Sequence, residues 1–168
     1  MKSLRLTVAA LAIASCGIAS SASAATATAN ADATILAALD VQLDAVRTKL
    51  DFGSIAESGT GGTVTLTPAG ALTCGSGLVC SGTTGTPQFN ITGSANSAVN
   101  VSLASSTITL TDPVSSATMS VGLASSAATL TLDGTGKGNF AVGGLLTVGA
   151  GQTPGTYNGQ LQVSVVYP

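Results

Sequence analysis

Two cysteines six residues apart, Cys74 and Cys80 in "CGSGLVC", are the side chains best spaced for chemistry. A thiol pair can ligate a metal or oxidise to a disulfide. A tetrahedral metal site needs further N or S ligands, and the sequence has no His and no second cysteine pair. The pair therefore reads as a disulfide, as suits an exported chain. Closing so small a loop contributes about 2 kcal/mol on the chain-entropy estimate.

The lack of His also removes the usual general base and the middle member of a Ser–His–acid triad. Asp112 and Asp133 follow strand-like runs and sit at turns, and no Ser or Thr lies in a nucleophile-elbow context. In "DGTGKGNF", Asp133 to Phe140, Gly138 follows Lys137 where a phosphate loop needs Ser or Thr. As a calcium loop it offers Asp133, Thr135 and Asn139, but Lys137 takes a ligand position, so the stretch reads as a hairpin turn. "NIT" at Asn90 and "NVS" at Asn100 match the glycosylation pattern by chance in a chain with a bacterial-style leader. The aromatics Phe52, Phe89, Phe140, Tyr157 and Tyr167 fall mostly at core-like positions, which leaves little for a sugar-stacking platform. The expectation is a chain that is not an enzyme, with no cofactor, no metal and no small-molecule substrate.

The chain opens as an export signal. "MKSLR" supplies Lys2 and Arg5, Leu6 to Ala14 is apolar, and "ASAA" places small residues around a cut after Ala24. Residues 1–24 are therefore read as a signal peptide. "IASC", Ile13 to Cys16, also matches a lipobox, in which Cys16 would be acylated, but the cut after Ala24 is preferred because a new pattern starts there. Beyond the cut, Arg47, Lys49 and Lys137 face seven acidic residues. So acidic a surface excludes nucleic acid as a partner. No second apolar run is long enough to span a bilayer. The expected location is the periplasm in transit, then the cell surface or the extracellular space.

Charged residues make up 7% of the chain, against roughly 25% in ordinary domains. Thr and Val punctuated by Gly favour β-sheet. So little charge protects sheet edges poorly, so either something covers them or edge pairing is their purpose. Short alternating runs recur about every ten residues: "LDFGSI", "TVTLT", "PQFNITG", "AVNVSLA", "STITLTD", "ATMSVGL", "ATLTLDG" and "GNFAVGGLLTVGA". "ALTCGSGLVC" reads as a loop closed by the disulfide, and the similar "VSSATMSVGL" and "ASSAATLTL" as two hairpin arms. This spacing predicts an all-β sandwich or barrel, with no convincing helix after residue 50.

The stretch "ATATANADATILAALDVQLDA", Ala25 to Ala45, poses a question of length. Its odd positions are all apolar, beginning Ala25, Ala27, Ala29, Ala31, Ala33 and Ile35, and most even positions are polar. As one strand it would run roughly 70 Å, far beyond the usual strand, so it must break or reach outside its own domain. Ile35, Leu36, Leu39, Leu43, Val46 and Leu50 also share a helical face, which keeps a helix over Ile35 to Leu50 open, with Asp32 as its cap.

The carboxyl-terminal "GTYNGQLQVSVVYP" has Gly155 fourteenth from the end and a penultimate Tyr167, with Leu161, Val163, Val165 and Tyr167 alternating. This resembles the last strand of chaperone–usher pilin and spore-coat-U-like subunits. More widely, "LDFGSIA", "GTVTLTPAGA", "FNITGSAN" and "LDGTGKGNFAVGGLLTV" are similar to a secreted bacterial family of domains of unknown function, DUF4402. The pilin resemblance implies an immunoglobulin-like β-sandwich lacking one strand. A periplasmic chaperone would fill the gap first. The amino-terminal extension of a further copy or related subunit would then replace it at an outer-membrane usher, by β-strand addition. On that resemblance, Ala25 to Leu36 is the donor strand, Ala37 to about Leu50 the first strand of the domain at 37–168, and Gly155 with Leu161, Val163, Val165 and Tyr167 the assembly strand. The alternative is a self-complete secreted or surface-anchored sandwich with an adhesive or glycan-binding role.

Overall fold

The structure, a computed structural model, describes residues 25–168. The expected signal peptide and Cys16 lie outside the described residues. Residues 25–34 form a unit of their own, exposed and without regular secondary structure, and residues 35–168 form the compact body.

The body is all-β. In chain order its strands are β1 (Asp40–Leu43), β2 (Ser54–Glu57), β3 (Gly62–Leu66), β4 (Leu72–Cys74), β5 (Leu78–Ser81) and β6 (Gln88–Thr92). They continue with β7 (Ala98–Leu103), β8 (Thr107–Thr111), β9 (Thr118–Ser125), β10 (Thr129–Thr131), β11 (Lys137–Val148) and β12 (Val163–Val166). The large sheet is built on β11. Its first half pairs antiparallel with β6, and its second half pairs with both β3 and β9. The strands β1, β4 and β8 extend this sheet from β6, β3 and β9. A second sheet has the order β10-β7-β12, and β2 with β5 makes a two-stranded ribbon.

Apolar alternation explains the layering. Val64, Leu66, Val121, Leu146 and Val148 point from the large sheet against Phe52, with Ile55 and Leu78 of the ribbon closing over them. Farther along β11, Phe140 and Val142 join Ile91 against Val99 and Val101 of the second sheet. Phe89 and Phe140, directly paired in the ladder, stack with centroids 5.2 Å apart. The result is a β-sandwich in which one long strand serves two apolar clusters.

Four expectations need correction. The stretch 37–50 forms no helix, and its strand is only Asp40–Leu43. The Asp44 carboxylate accepts from the Val46 and Arg47 amides, both 3.0 Å away, and this side-chain turn ends the strand. "ALTCGSGLVC" is not a plain loop, because β4 and β5 flank its turn. The two similar serine-rich runs are not arms of one hairpin: β9 pairs with β8 and β11, while β10 pairs with β7 in the other sheet. Likewise the Asp133–Gly136 turn carries the chain from the second sheet to the first, since β10 and β11 do not pair.

Cys74 and Cys80 form a disulfide, with Cα atoms 6.0 Å apart, at the edge of the cluster around Phe52. Replacing both with Ser should lower the unfolding free energy by about 2 kcal/mol, as checked by denaturant titration.

Candidate functional site

The carboxyl-terminal segment links the two sheets. Asn158 bridges to Thr111 at the end of β8, and the chain then crosses to pair β12 with β7 through Val163↔Leu103 and Val165↔Val101. Leu161, Val163, Val165 and Tyr167 are half-buried and pack on the second cluster, while Gln162 and Ser164 are exposed. The expected alternation of this strand is therefore present in the fold. Gly155 lies outside the strand, at a close approach. A Cβ there would sit 2.7 Å from Oδ2 of Asp112, so only a residue without a side chain fits.

Asp112 is the buried carboxylate of the region, 3% exposed. It accepts from the Ser115 hydroxyl (2.5 Å), the Ser115 amide (3.0 Å) and the Val114 amide (3.4 Å), and the Thr156 amide adds to these. These bonds, the Ser115 hydroxyl above all, hold its pKa below the ordinary 3.8. The other low carboxylates are also turn caps. Asp133 takes the Lys137 and Thr135 amides and the Thr135 hydroxyl, and Asp44 the Arg47 and Val46 amides. Asp51 is lowered by its pairing with Lys49 at 2.6 Å. Among the described residues no three Cys, Asp or Glu side chains gather as metal ligands.

A depression of about 420 Å³ lies around Arg47 and Lys49. Its cations are already engaged. The Arg47 guanidinium donates to Gln88 Oε1 (2.6 Å), to the Thr86 carbonyl (3.3 Å) and to the Thr86 hydroxyl, and Lys49 holds Asp51. It serves as a clamp between the turn after β1 and the residues before β6.

The feature left open is a cleft beside the end of β1 and the segment that leads into β12. The outer edge of each strand has no partner among the described residues: β1 pairs only with β6 and β12 only with β7. The start of β1 lies beside the end of β12, where the Tyr167 hydroxyl donates to the Ala37 carbonyl at 2.9 Å. At the other end Leu43 and Leu161 line one cavity of about 390 Å³. The two edges thus run antiparallel past each other without a backbone hydrogen bond between them. The cavity is mainly apolar, walled by Leu50, Phe52, Phe89 and Ile108, with the polar end of Tyr157 tied to the Thr153 carbonyl. Leu43 remains 46% exposed at its mouth.

A family model described as "Domain of unknown function (DUF4402)" matches residues 41–167, from β1 to the penultimate residue. The chain belongs to the DUF4402 family. The matched span contains β12, β1 from Val41 on, and every residue that lines the cleft. Searches of curated proteins and of solved structures found no match to this DUF4402 chain.

The structure packs Leu161, Val163, Val165 and Tyr167 together on the second cluster, with Leu161 alone of the four lining the cleft, and places Gly155 apart from them, at the Asp112 turn. Ala25, Ala27, Ala29, Ala31 and Ala33 lie in the exposed amino-terminal unit, and Ile35 is 95% exposed. Sequence reasoning did not place Leu39, Val41 and Phe89 against the same cluster as Val163 and Val165, nor Leu43 at the mouth of the cleft. Which strands close the sheet decides that, and alternation alone cannot show it.

Asp112 gives a pH test. A carboxylate whose folded pKa is depressed stabilises the fold above the ordinary carboxylate range, and that stability fades as pH falls through it. Asp112→Asn should melt several degrees lower than the wild type at about pH 7, with the gap narrowing towards about pH 3. Gly155→Ala, a steric change, should lower the melting temperature at both.

Proposed function

We propose that this chain is a structural, non-catalytic subunit of a surface filament, pilin-like, with each copy completing its neighbour by β-strand donation. The reading rests above all on three features together: the outer edges of β1 and β12 are unpaired among the described residues, a mainly apolar cleft opens where β1 ends and the chain approaches β12, and an alternating extension precedes β1. An edge strand offers a row of free N–H and C=O groups, and a half-buried apolar floor gives an incoming strand something to cover.

The occupant is the residue 25–36 segment of a second copy. Its odd positions supply Ala25, Ala27, Ala29, Ala31, Ala33 and Ile35 to one face. Filling the cleft with the chain's own extension would need a tight reversal just before β1. "ATILAAL", Ala33 to Leu39, has no Gly, Pro, Asn or Asp with which to turn. Donation from another copy needs no reversal. Because donor and cleft are different surfaces of the same chain, the contact is head-to-tail and propagates as a fibre. Alanine methyls bury little area, so most of the hold comes from the backbone ladder, with Ile35 as the one large apolar anchor on that face.

Export through the periplasm, a chaperone that occupies the cleft before assembly, and an outer-membrane usher complete this reading. They follow from the pilin resemblance. An exposed cleft of this kind would otherwise associate non-specifically in transit.

Surface extract from cells expressing the chain, run unheated and boiled, should show a ladder that collapses to one band on boiling. Deleting residues 25–36 should abolish the ladder. A synthetic 25–36 peptide should raise the melting temperature of that deletion variant, because it binds only the folded state. A single monomer band in both lanes would instead assign the chain to a self-complete surface domain.

A further inference from the structure

The root of the amino-terminal extension is held by an unusually complete set of hydrogen bonds. Ala37 lies outside every strand, yet both of its backbone groups are satisfied by side chains of distant residues. Its amide donates to Ser94 Oγ at 2.6 Å, and its carbonyl accepts from the Tyr167 hydroxyl at 2.9 Å. The Ser94 amide in turn donates to the same Tyr167 oxygen at 2.7 Å. The three residues close a ring of contacts that spans the start of β1, the turn after β6 and the end of β12. Burial changes near this point: Ile35 is 95% exposed and Leu36 45%, while Leu39 packs on the second cluster.

Two details separate this arrangement from ordinary packing. First, the phenol uses its oxygen in both senses, as donor to one neighbour and acceptor from another, which Phe cannot do. Second, Gly93 leaves room for it. A Cβ at Gly93 would lie 2.6 Å from the Tyr167 oxygen and 2.8 Å from Leu39 Cδ2. The glycine before Ser94 thus admits the hydroxyl to the Ser94 amide.

We infer that Tyr167 is a positioning residue: through Ser94 and Ala37 it fixes the point at which the amino-terminal extension leaves the body. Its purpose rests on residues 25–36 acting as a donor strand. The clamp joins the start of β1 to the end of β12, away from the cleft that Leu43 and Leu161 line, and leaves that cleft open. A donor arm with a fixed root searches less space than one frayed back into β1, so its ordering cost on docking is smaller.

The test is amide hydrogen exchange on the monomeric secreted chain, which does not depend on assembly. In the wild type the Ser94 and Ala37 amides should both be protected. Tyr167→Phe should speed exchange at Ser94, which loses its acceptor, and also at Ala37, whose own acceptor is untouched, each by about tenfold. Ser94→Ala should release Ala37 by a similar factor, and Gly93→Ala should reproduce the Tyr167→Phe pattern. Val99 and Val121 amides, in the two clusters, should keep their protection throughout, which shows that the variants fold. An unprotected Ala37 in the wild type overturns the inference. So does a Tyr167→Phe effect confined to Ser94, which would make the hydroxyl a local contact only. A clamp found intact in a chain that forms no ladder would remove the filament reading and leave the clamp standing.

Discussion

Backbone hydrogen bonds along Lys137–Val148 join the two halves of the sandwich. The strand pairs first with β6 and then with β3 and β9, so it lies under the second sheet for half its length and under the β2–β5 ribbon for the rest. Phe140, Ala141, Val142, Gly143 and Gly144 are consecutive and all buried. A strand covered on both faces cannot alternate apolar with polar, and it must be thin where neighbours press on it. Gly144 meets this need, since a Cβ there would lie 2.8 Å from Val121 Cγ1. The shared strand ties the two apolar clusters into one body.

The same construction sets which strands lie at the outside of the two sheets. With β11 at the centre, pairing spreads outward to β1 on one side and, in the second sheet, to β12. Among the described residues each of these outer strands has one partner only, and the segment before β12 bridges β8 at Asn158. An apolar floor with Phe89 and Leu161 at half-burial follows. Low charge has a role here. No Lys or Arg lies in β1 or β12 to blunt the edge, in contrast to the usual protection of exposed strands.

The few charges are concentrated at turns. Asp44, Asp112 and Asp133 each accept backbone amides within the next four residues, and Arg47 closes the gap between the turn after β1 and the residues before β6. These carboxylates are turn caps: the Ser115 hydroxyl above all lowers the pKa of Asp112, and the Lys137 amide above all lowers that of Asp133. The Tyr167 hydroxyl works in a similar way at longer range. It satisfies backbone groups at a place where no strand can.

Much of the sheet was legible in the sequence, since period-two alternation is a local property fixed by the geometry of the extended chain. "TVTLT", "AVNVSLA", "STITLTD" and "QLQVSVVY" mark real strands, and the disulfide followed from cysteine number and the absence of other ligands. The end of the first strand was misjudged because the Asp44 turn opposes an alternation that continues through it. Serine-rich runs of similar sequence were assigned to one hairpin, yet they belong to different sheets. Pairing depends on residues far apart along the chain, and two strands of similar sequence carry no mark of their partners. By itself the sequence determined the strand class, the disulfide and the unprotected edges, all of which are set by local pattern and composition. Only the tertiary structure decided which edges stay open, that Asp112 excludes a side chain at Gly155, and that Tyr167 reaches Ala37. Those facts arise from distances between residues up to 130 positions apart, which exist only once the sheets have closed.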